Sequence, residues 1–387
     1  MRALFSLLFF AALLPASNIP TITEAGSLGG ASTVAYQISD SGLIVGYAQV
    51  SNTDTHAFSA TSGGGTHDLN GAASESGAYG VNSAGQIVGT SYVNGQAHGT
   101  IWSSTGVTDL GAGSYATAIN SSGEVAGGNG QAFLYRNGVT EELGVLAGGN
   151  WSSAYGINSE GSVVGNGNVA GGDFRGFVWT AGLGLTELGT LGGSNSYANA
   201  INDLGQIVGD ASVASGYDHA FVDSNGTLHD LGTLGGGNSY AYDINNAGVI
   251  VGYSYLAGNA VTHAFAYVNG QMIDLNSLLP LDSGWVLETA YGINNFGDIV
   301  GTGTYNGQQE AFLLDPQQFG VAAIPEPGTV GLVLLGLSVL GATLLLRRGF
   351  AVFRGGSSQN LPDISNHSPK TGPSPDAPSR CTSREAT

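Results

Sequence analysis

The sequence predicts an all-β fold: a seven-bladed β-propeller closed by an N-terminal strand and followed by one C-terminal transmembrane helix. One unit recurs seven times between residues 21 and 320. Each unit holds four short β-prone segments and lacks helical periodicity, which is the content of one four-stranded sheet. Near the C-terminus, 19 uncharged and mostly apolar residues form a segment long enough to cross a membrane.

The first half of each unit follows the pattern Ala-x-x-Ile-Asn-x-x-Gly-x-Ile-Val-Gly, with variations. Its closing glycines are Gly46, Gly89, Gly127, Gly165, Gly209, Gly252 and Gly301. They lie 38 to 49 residues apart, close to the ~40–50 residues of blade-type repeats and longer than most β-solenoid turns. The Asn-x-x-Gly segment, for example Asn158 to Gly161, predicts a hairpin turn in which Asn caps the turn and Gly takes a positive φ.

The second half of each unit carries a His-Ala-Phe signature and then an acidic residue before Leu. The first residue of the signature is His56, His98, Gln131, Arg175, His219, His263 or Glu310, and the second copy reads His-Gly. The acidic residues are Asp68, Asp109, Glu142, Glu187, Asp230 and Asp274. We favour structural roles for both sets over metal binding, because substitution of the histidines breaks any set of three or four converging ligands. Ca²⁺ binding by the acidic residues and the turn asparagines is kept as an alternative.

The two ends of the repeat array predict that it closes into a ring. The seventh copy stops after Glu310-Ala-Phe-Leu-Leu and lacks its acidic strand, whereas the fragment Ile22-Thr-Glu24 resembles that missing strand. Glu24 precedes Ala35 by 11 residues, the same interval as between Glu187 and Ala198. A ring needs such a clasp to avoid exposed sheet edges, whereas a solenoid needs capping repeats. We therefore favour a propeller over a β-solenoid.

The N-terminus predicts export. Residues 1–17 contain one arginine, an apolar run and then small residues, which is typical of a signal peptide. The alternative is a short buried helix, but the run has no polar face.

The C-terminus predicts a sorting signal at residues 324–348. Pro325, Glu326 and Pro327 precede an apolar segment at residues 328–346, which is followed at once by Arg347 and Arg348. At ~1.5 Å per residue the segment just spans a ~30 Å hydrocarbon core, and the arginines place its far end in the cytoplasm. A core helix is the alternative. Residues 349–387 are polar and rich in Ser and Pro, and we expect them to form a disordered tail.

These motifs resemble two known bacterial patterns. The order Pro-Glu-Pro, apolar helix and arginine pair is similar to the PEP-CTERM sorting signal of Gram-negative bacteria. That resemblance implies recognition by an exosortase in the inner membrane, although family members usually end soon after the arginines. The repeats resemble the HAF family of extracellular repeats, which often accompanies such signals. The resemblances imply inner-membrane anchoring before sorting and then a place at the cell surface or outside the cell.

The charge balance restricts the partners. Residues 21–323 hold 24 acidic residues against two basic ones, and the only cysteine, Cys381, lies outside this region. A surface with so few cations cannot neutralise phosphates, so nucleic acid is excluded as a partner and peripheral lipid binding is not expected. Cations and neutral sugars such as exopolysaccharide fit this surface better. Without a disulfide, the repeats must be held by packing and backbone hydrogen bonds.

Residues that differ between copies are the candidate ligand contacts. They are Trp151 and Trp285 in predicted inter-blade linkers, Tyr217 and Asp218 in the loop before His219, and the two cations Arg136 and Arg175. Aromatic side chains on loops suit stacking against sugar rings, but they equally suit the covering of apolar blade edges. We found no spacing typical of a catalytic site, and no cofactor is expected.

We therefore expect a non-catalytic exported repeat protein of the cell surface or exopolysaccharide matrix. A first alternative is an extracellular polysaccharide hydrolase or lyase with carboxylates gathered at the ring centre. A second is a Ca²⁺-dependent adhesin, which predicts a melting temperature that rises with Ca²⁺.

Overall fold

A computed structural model of the protein describes residues 20–51, 54–71 and 73–315. They form 28 β-strands and one short 3₁₀-helix, Leu275–Leu278. The strands are grouped into seven four-stranded antiparallel sheets, and each sheet packs through apolar side chains against its neighbours. The prediction of a seven-bladed β-propeller is confirmed.

Blades 1 to 6 each consist of four strands that are consecutive in sequence, with the first strand innermost. Blades 1 to 3 are β2 Thr33–Ile38, β3 Leu43–Gln49, β4 Thr55–Thr61, β5 His67–Asp68; β6 Ser76–Val81, β7 Ile87–Val93, β8 Gln96–Ser103, β9 Gly106–Ala112; β10 Tyr115–Ile119, β11 Val125–Gly128, β12 Ala132–Arg136, β13 Val139–Gly144. Blades 4 to 6 are β14 Ser152–Ile157, β15 Val163–Asn168, β16 Phe174–Thr180, β17 Gly184–Glu187; β18 Gly192–Ile201, β19 Ile207–Val213, β20 Asp218–Asp223, β21 Leu228–Asp230; β22 Gly235–Ile244, β23 Ile250–Leu256, β24 Thr262–Val268, β25 Gln271–Asp274.

Blade 7 is completed by the N-terminal strand, as the sequence predicts. It contains β26 Trp285–Ile293, β27 Ile299–Tyr305 and β28 Gln308–Leu314, and its outer strand is β1 Ile22–Glu24. Glu24 lies opposite Phe312, the register that Asp68 has with Phe58 in blade 1. The clasp strand therefore takes the place that an acidic strand takes in other blades.

The repeat glycine is required by close packing inside each blade. A Cβ atom on Gly46 would lie 1.9 Å from the carbonyl oxygen of Val34 on the innermost strand. The signature phenylalanine, such as the fully buried Phe58, packs beside it. A larger residue at Gly46 would separate the first two strands, which explains why the position is invariant in all seven copies.

The Asn-x-x-Gly segments form the predicted hairpin turns and also join neighbouring blades. In blade 3, Asn120 Oδ1 accepts a hydrogen bond from the amide of Glu124, and Gly123 has a φ of 79°. The Asn120 amide nitrogen donates to the carbonyl of Asn158 in blade 4. Six such bonds, 3.0 to 3.3 Å long, run around one end of the ring. We call this the turn end and the opposite end the loop end.

We call these six bonds the asparagine ladder. The ladder lacks a bond from blade 1 to blade 2, and adding that bond should stabilise the ring. Ser39 occupies the asparagine position there, and its hydroxyl accepts from the Leu43 amide but is too short to reach the carbonyl of Asn82. In Ser39→Asn the side chain can make both bonds. We expect the free energy of unfolding to rise by about 1 kcal/mol. Chemical denaturation checks this, with Ser39→Ala as the destabilised control, and an unchanged or lower midpoint for Ser39→Asn would contradict it.

Several predicted segments lie outside the described residues. They are the signal peptide at 1–17, the sorting signal at 324–348 with its helix at 328–346, and the tail at 349–387. Within residues 20–51, 54–71 and 73–315, no helix has the length and apolar character needed to cross a membrane. The predicted propeller bounds of 21–320 contain all 28 strands.

Candidate functional site

The channel at the centre of the ring is lined by residues in β-bulges. In blade 1, Ala35 lies opposite Gly46 and Gln37 opposite Val45, so Tyr36 is an extra residue without a partner. A bulge turns the side chain of its extra residue away from the regular pleat. The same shift recurs on the first strand of every blade. The seven bulged residues, here called the channel positions, are Tyr36, Tyr79, Thr117, Tyr155, Asn199, Tyr242 and Tyr291.

Four of the channel tyrosines form a continuous arc across neighbouring blades. The ring of Tyr36 in blade 1 lies 5.4 Å from that of Tyr79 in blade 2 and 5.1 Å from that of Tyr291 in blade 7. The ring of Tyr291 lies 5.1 Å from that of Tyr242 in blade 6. This tyrosine arc borders a cavity of about 380 Å³, and Tyr155 lies in the opposite wall. The volume suits a small ligand or the end of a chain.

The tyrosines of the arc remain neutral hydrogen-bonding groups. Burial raises the pKa of Tyr36 above its ordinary value, and the neighbouring rings of Tyr47 and Tyr291 add to the shift. Burial likewise raises the pKa of Tyr79 and of Tyr242. Each hydroxyl therefore keeps its proton at any physiological pH and can donate as well as accept a hydrogen bond.

Asp243 and Gln37 are hydrogen-bonded to each other across the channel, at a level between its loop end and its turn end. Asp243 Oδ2 accepts from Gln37 Nε2 at 3.0 Å and from the Ile293 amide at 2.9 Å, so its carboxyl group joins blades 6, 7 and 1. Oδ1 accepts from the Ile244 amide. Burial raises the pKa of Asp243 to about 6 despite these bonds. It is the one carboxyl group among the described residues that line the 380 Å³ cavity.

A second buried carboxyl group lies beside the channel between blades 5 and 6. Asp210 on β19 is only 7% exposed, and from the described residues it accepts one hydrogen bond, from Asn199 Nδ2 at 3.5 Å. Burial raises the pKa of Asp210 to about 7, and the neighbouring carboxylate of Asp218 adds to the shift. Asp210 is therefore partly protonated near neutral pH.

The recurring histidines pair with the recurring acidic residues of the same blade. The Nδ1 atoms of His56 and His219 lie 2.8 and 2.9 Å from the carboxylates of Asp68 and Asp230. His98 with Asp109 and His263 with Asp274 make the same contact. Blade 4 substitutes Arg175 and Glu187, 3.2 Å apart. In these blades the two motifs therefore form one cross-strand pair, whereas the sequence predicts a structural role for each motif but not their pairing.

Blade 7 departs from this pattern, because it places Glu310 where the other blades place histidine, arginine or glutamine. Burial raises the pKa of Glu310, and the carboxylate of Glu24 adds to the shift. The folded state therefore holds this proton more tightly than the unfolded chain, and stability falls as the pH rises through the folded pKa.

Removing this repulsion should stabilise the clasp at neutral pH. We expect the melting temperature of Glu310→Gln to exceed that of the wild type at pH 7 and to match it near pH 4. Calorimetry across this range checks the prediction, with Glu160→Gln at an exposed turn as the charge-matched control. Equal melting temperatures at pH 7 would contradict it.

The structure brings some of the sequence-predicted contacts together at the loop end. Trp151 precedes β14 and packs against Phe174 at 6.1 Å. Tyr217 ends the second loop of blade 5 as predicted, but Asp218 is the first residue of β20, because it pairs with Ser212 on β19. Arg175 on β16 donates to the backbone carbonyl of Ser194 in blade 5. Asp218 lines a separate loop-end cavity of about 440 Å³.

The other two predicted contacts are Trp285 and Arg136. The placement of Trp285 in a linker is wrong: it is the first residue of β26, is only 8% exposed, and stacks on Tyr305 at 4.8 Å. Its apolar run Trp-Val-Leu pairs with β27 and so extends the strand. Arg136 ends β12 at the turn end, where its guanidinium lies 2.7 Å from Glu141. Trp285 therefore lies at the loop-end start of its strand but is buried, whereas Arg136 lies at the turn end.

The described residues contain no group of three or more His, Cys, Asp and Glu side chains arranged to hold a metal ion. The turn asparagines that were candidate Ca²⁺ ligands use their side chains in the ladder. Asn202, for example, accepts from Gln206 and donates to the carbonyl of Asn245.

The channel tyrosines have a signal in the sequence, but it is a shared feature of the copies and not a difference between them. Tyrosine stands directly after the motif alanine in five of the seven copies. Asp210 also had a signal, because it follows the closing Gly209, where the other copies place Tyr47, Thr90, Gly128, Asn166, Tyr253 and Thr302. Sequence spacing alone could not show that both positions meet at the channel.

Neither a protein-family model nor a curated protein matches this chain. Solved propeller structures do. Virginiamycin B lyase from Staphylococcus aureus is 10% identical, with a TM-score of 0.49 over 76% of this chain and 99% of the lyase. Puromycin hydrolase is 13% identical, with a TM-score of 0.48 over 74% of this chain, which spans about half (53%) of that enzyme. The propeller domain of the trilobed protease from Pyrococcus furiosus is 9% identical, with a TM-score of 0.44 over 64% of this chain and 82% of that domain. At these values no function follows from the similarity.

Proposed function

We propose that this protein is a non-catalytic, exported β-propeller of the cell surface or exopolysaccharide matrix, and that the loop end of its channel binds polysaccharide. The observation that carries the proposal is the set of bulges that turns five tyrosines toward the channel. Sugar rings pack their apolar faces on aromatic rings, and tyrosine adds a hydroxyl for hydrogen bonding. The acidic, cation-poor surface makes nucleic acid an improbable partner.

The proposed location rests on the two ends of the sequence. Residues 1–17 would direct export, and the helix at 328–346 would hold the chain in the inner membrane until an exosortase-type enzyme recognises Pro325, Glu326 and Pro327. Cell fractionation tests this part of the proposal. The full chain should be found outside the cytoplasm, and deletion of residues 324–348 should release it from the envelope. Recovery of the wild type in the cytoplasm would refute export.

A glycan array probed with the purified full-length chain tests the binding function. We expect binding to a restricted set of polysaccharides, and binding should survive Phe296→Ala, which removes an exposed aromatic ring at the turn end. Absence of binding to every polysaccharide on the array, including the exopolysaccharide of the producing cell, would refute the proposal.

A polysaccharide hydrolase or lyase is the second candidate, because two carboxyl groups near the channel keep a proton at unusually high pH. The pKa values of Asp243 and Asp210, about 6 and about 7, are in the range of general acids. Exopolysaccharides that bind should be assayed for reducing ends and unsaturated products. Turnover that disappears in Asp210→Asn or Asp243→Asn, with the fold retained, would favour the enzyme over the binding protein.

A further inference from the structure

Asp210 is a buried carboxyl group with too few hydrogen-bond donors. Buried carboxylates in folded proteins usually accept several hydrogen bonds or pair with a cation. Asp210 has only the Asn199 amide, at the 3.5 Å limit of a hydrogen bond. Both basic residues of the described chain are paired elsewhere, Arg136 with Glu141 and Arg175 with Glu187. Within the part of the chain that the structure describes, no arginine or lysine pairs with Asp210.

Tyrosine rings and a second carboxyl group surround Asp210. Tyr197 lies directly opposite it on β18, and Asp218 lies on the next strand, β20. The rings of Tyr240 and Tyr253 in blade 6 are stacked with their centroids 4.8 Å apart. Burial is the largest cause of the raised pKa of Tyr240, and the carboxylates of Asp218 and Asp210 add to it. We call these five residues the acidic–aromatic cluster.

The acidic–aromatic cluster is reached from a cavity at the loop end. Asp218 and Tyr197 line the 440 Å³ cavity at the loop end of blade 5. Asn199, which bonds Asp210, lines the channel cavity together with Tyr242. A chain molecule bound at the loop end could therefore place a substituent against Asp218 and Tyr197, beside Asp210.

We propose that the acidic–aromatic cluster binds the protonated amino group of an amino sugar, so that the preferred polysaccharide carries free amines. An ammonium group brings N–H donors and a positive charge to both carboxylates and also interacts favourably with tyrosine rings. An acetylated amine has no charge and cannot replace it. This inference rests on the proposed function, because it names the ligand class of the same binding surface.

Binding measured by calorimetry on the purified full-length chain tests the inference. The probes are glucosamine oligosaccharides, the fully N-acetylated oligosaccharides of the same length, and spermidine as an amine without a sugar. The test variant is Asp210→Asn combined with Asp218→Asn. Blade 4 holds Asn166 at the position equivalent to Asp210, where it is 6% exposed, so asparagine suits this backbone. Glu160→Gln with Asp282→Asn is the control, since it removes the same charge from exposed positions.

We expect the wild type to bind the glucosamine oligosaccharide at least ~10-fold more tightly than the acetylated one, a difference of about 1.4 kcal/mol. The test variant should lose this preference and keep its weak binding of the acetylated oligosaccharide, and the control should keep the preference. Equal binding of the two oligosaccharides by the wild type, or an unchanged preference in the test variant, would overturn the inference but leave the proposed function standing. Equal affinity for spermidine would overturn the assignment to a sugar, and no binding of any saccharide would defeat both.

Discussion

Replacing Tyr36 with alanine should weaken polysaccharide binding on the order of 30-fold, a cost of about 2 kcal/mol, which is typical when tyrosine is lost from the centre of a binding surface. Tyr36 is the junction of the tyrosine arc, because its ring contacts those of Tyr47, Tyr79 and Tyr291. Its loss removes one stacking face and frees the neighbouring rings to move. Titration of the purified chain with the polysaccharide that binds best measures the effect.

The size of this loss must be separated from any effect on folding. Tyr36 is the extra residue of a bulge, so truncation of its side chain in Tyr36→Ala leaves the pairing of β2 with β3 intact. Phe296→Ala removes an exposed ring from the turn end and should bind like the wild type. If Tyr36→Ala bound within twofold of the wild type, the tyrosine arc would not be the binding surface.

Ala25→Asp should lower the free energy of unfolding by about 3–5 kcal/mol, because it places a carboxylate in an apolar contact without a cation. Ala25 is 3% exposed and packs in the cluster that joins the clasp to blade 1, beside Phe58 and Ala311. Its amide also donates to the Ala311 carbonyl at 2.9 Å. The substitution therefore dislodges β1 and uncovers the edge of β28.

Ser27→Asp is the matched control for the clasp, since it adds the same charge two residues away at an exposed position. Chemical denaturation gives the stabilities, and hydrogen exchange at Leu313 reports whether β1 has left the edge of the sheet. Equal stability of the two variants would mean that the clasp does not close the ring.

The architecture could be predicted because each blade repeats its own requirements. The seven closing glycines report the close approach of two strands, and the missing acidic strand of the seventh copy identifies Ile22–Glu24 as its replacement. Such constraints are local in sequence, or repeat at a fixed interval, so a single chain displays them. The placement of Trp285 was wrong because β26 begins before the repeat pattern does, so the pattern does not show that Trp285 belongs to a strand.

The candidate site could not be predicted in the same way because it forms only when the ring closes. Tyr36, Tyr291 and Tyr242 are far apart in sequence and meet through blade-to-blade packing. The side chain of Tyr36 faces the channel because of a bulge, and the repeat pattern does not reveal a one-residue shift in register. The shortage of donors around Asp210 likewise depends on which side chains three strands bring together.

Hydroxyl-radical footprinting of the full-length chain, with and without the bound polysaccharide, tests the central claim most directly. Tyr79 and Tyr155 are the most exposed channel tyrosines, at 37% and 39%, and Phe296 at the turn end is 60% exposed. Binding at the loop end of the channel predicts that the polysaccharide protects Tyr79 and Tyr155 from oxidation and leaves Phe296 unchanged. Protection of Phe296 without protection of the two tyrosines would contradict this account.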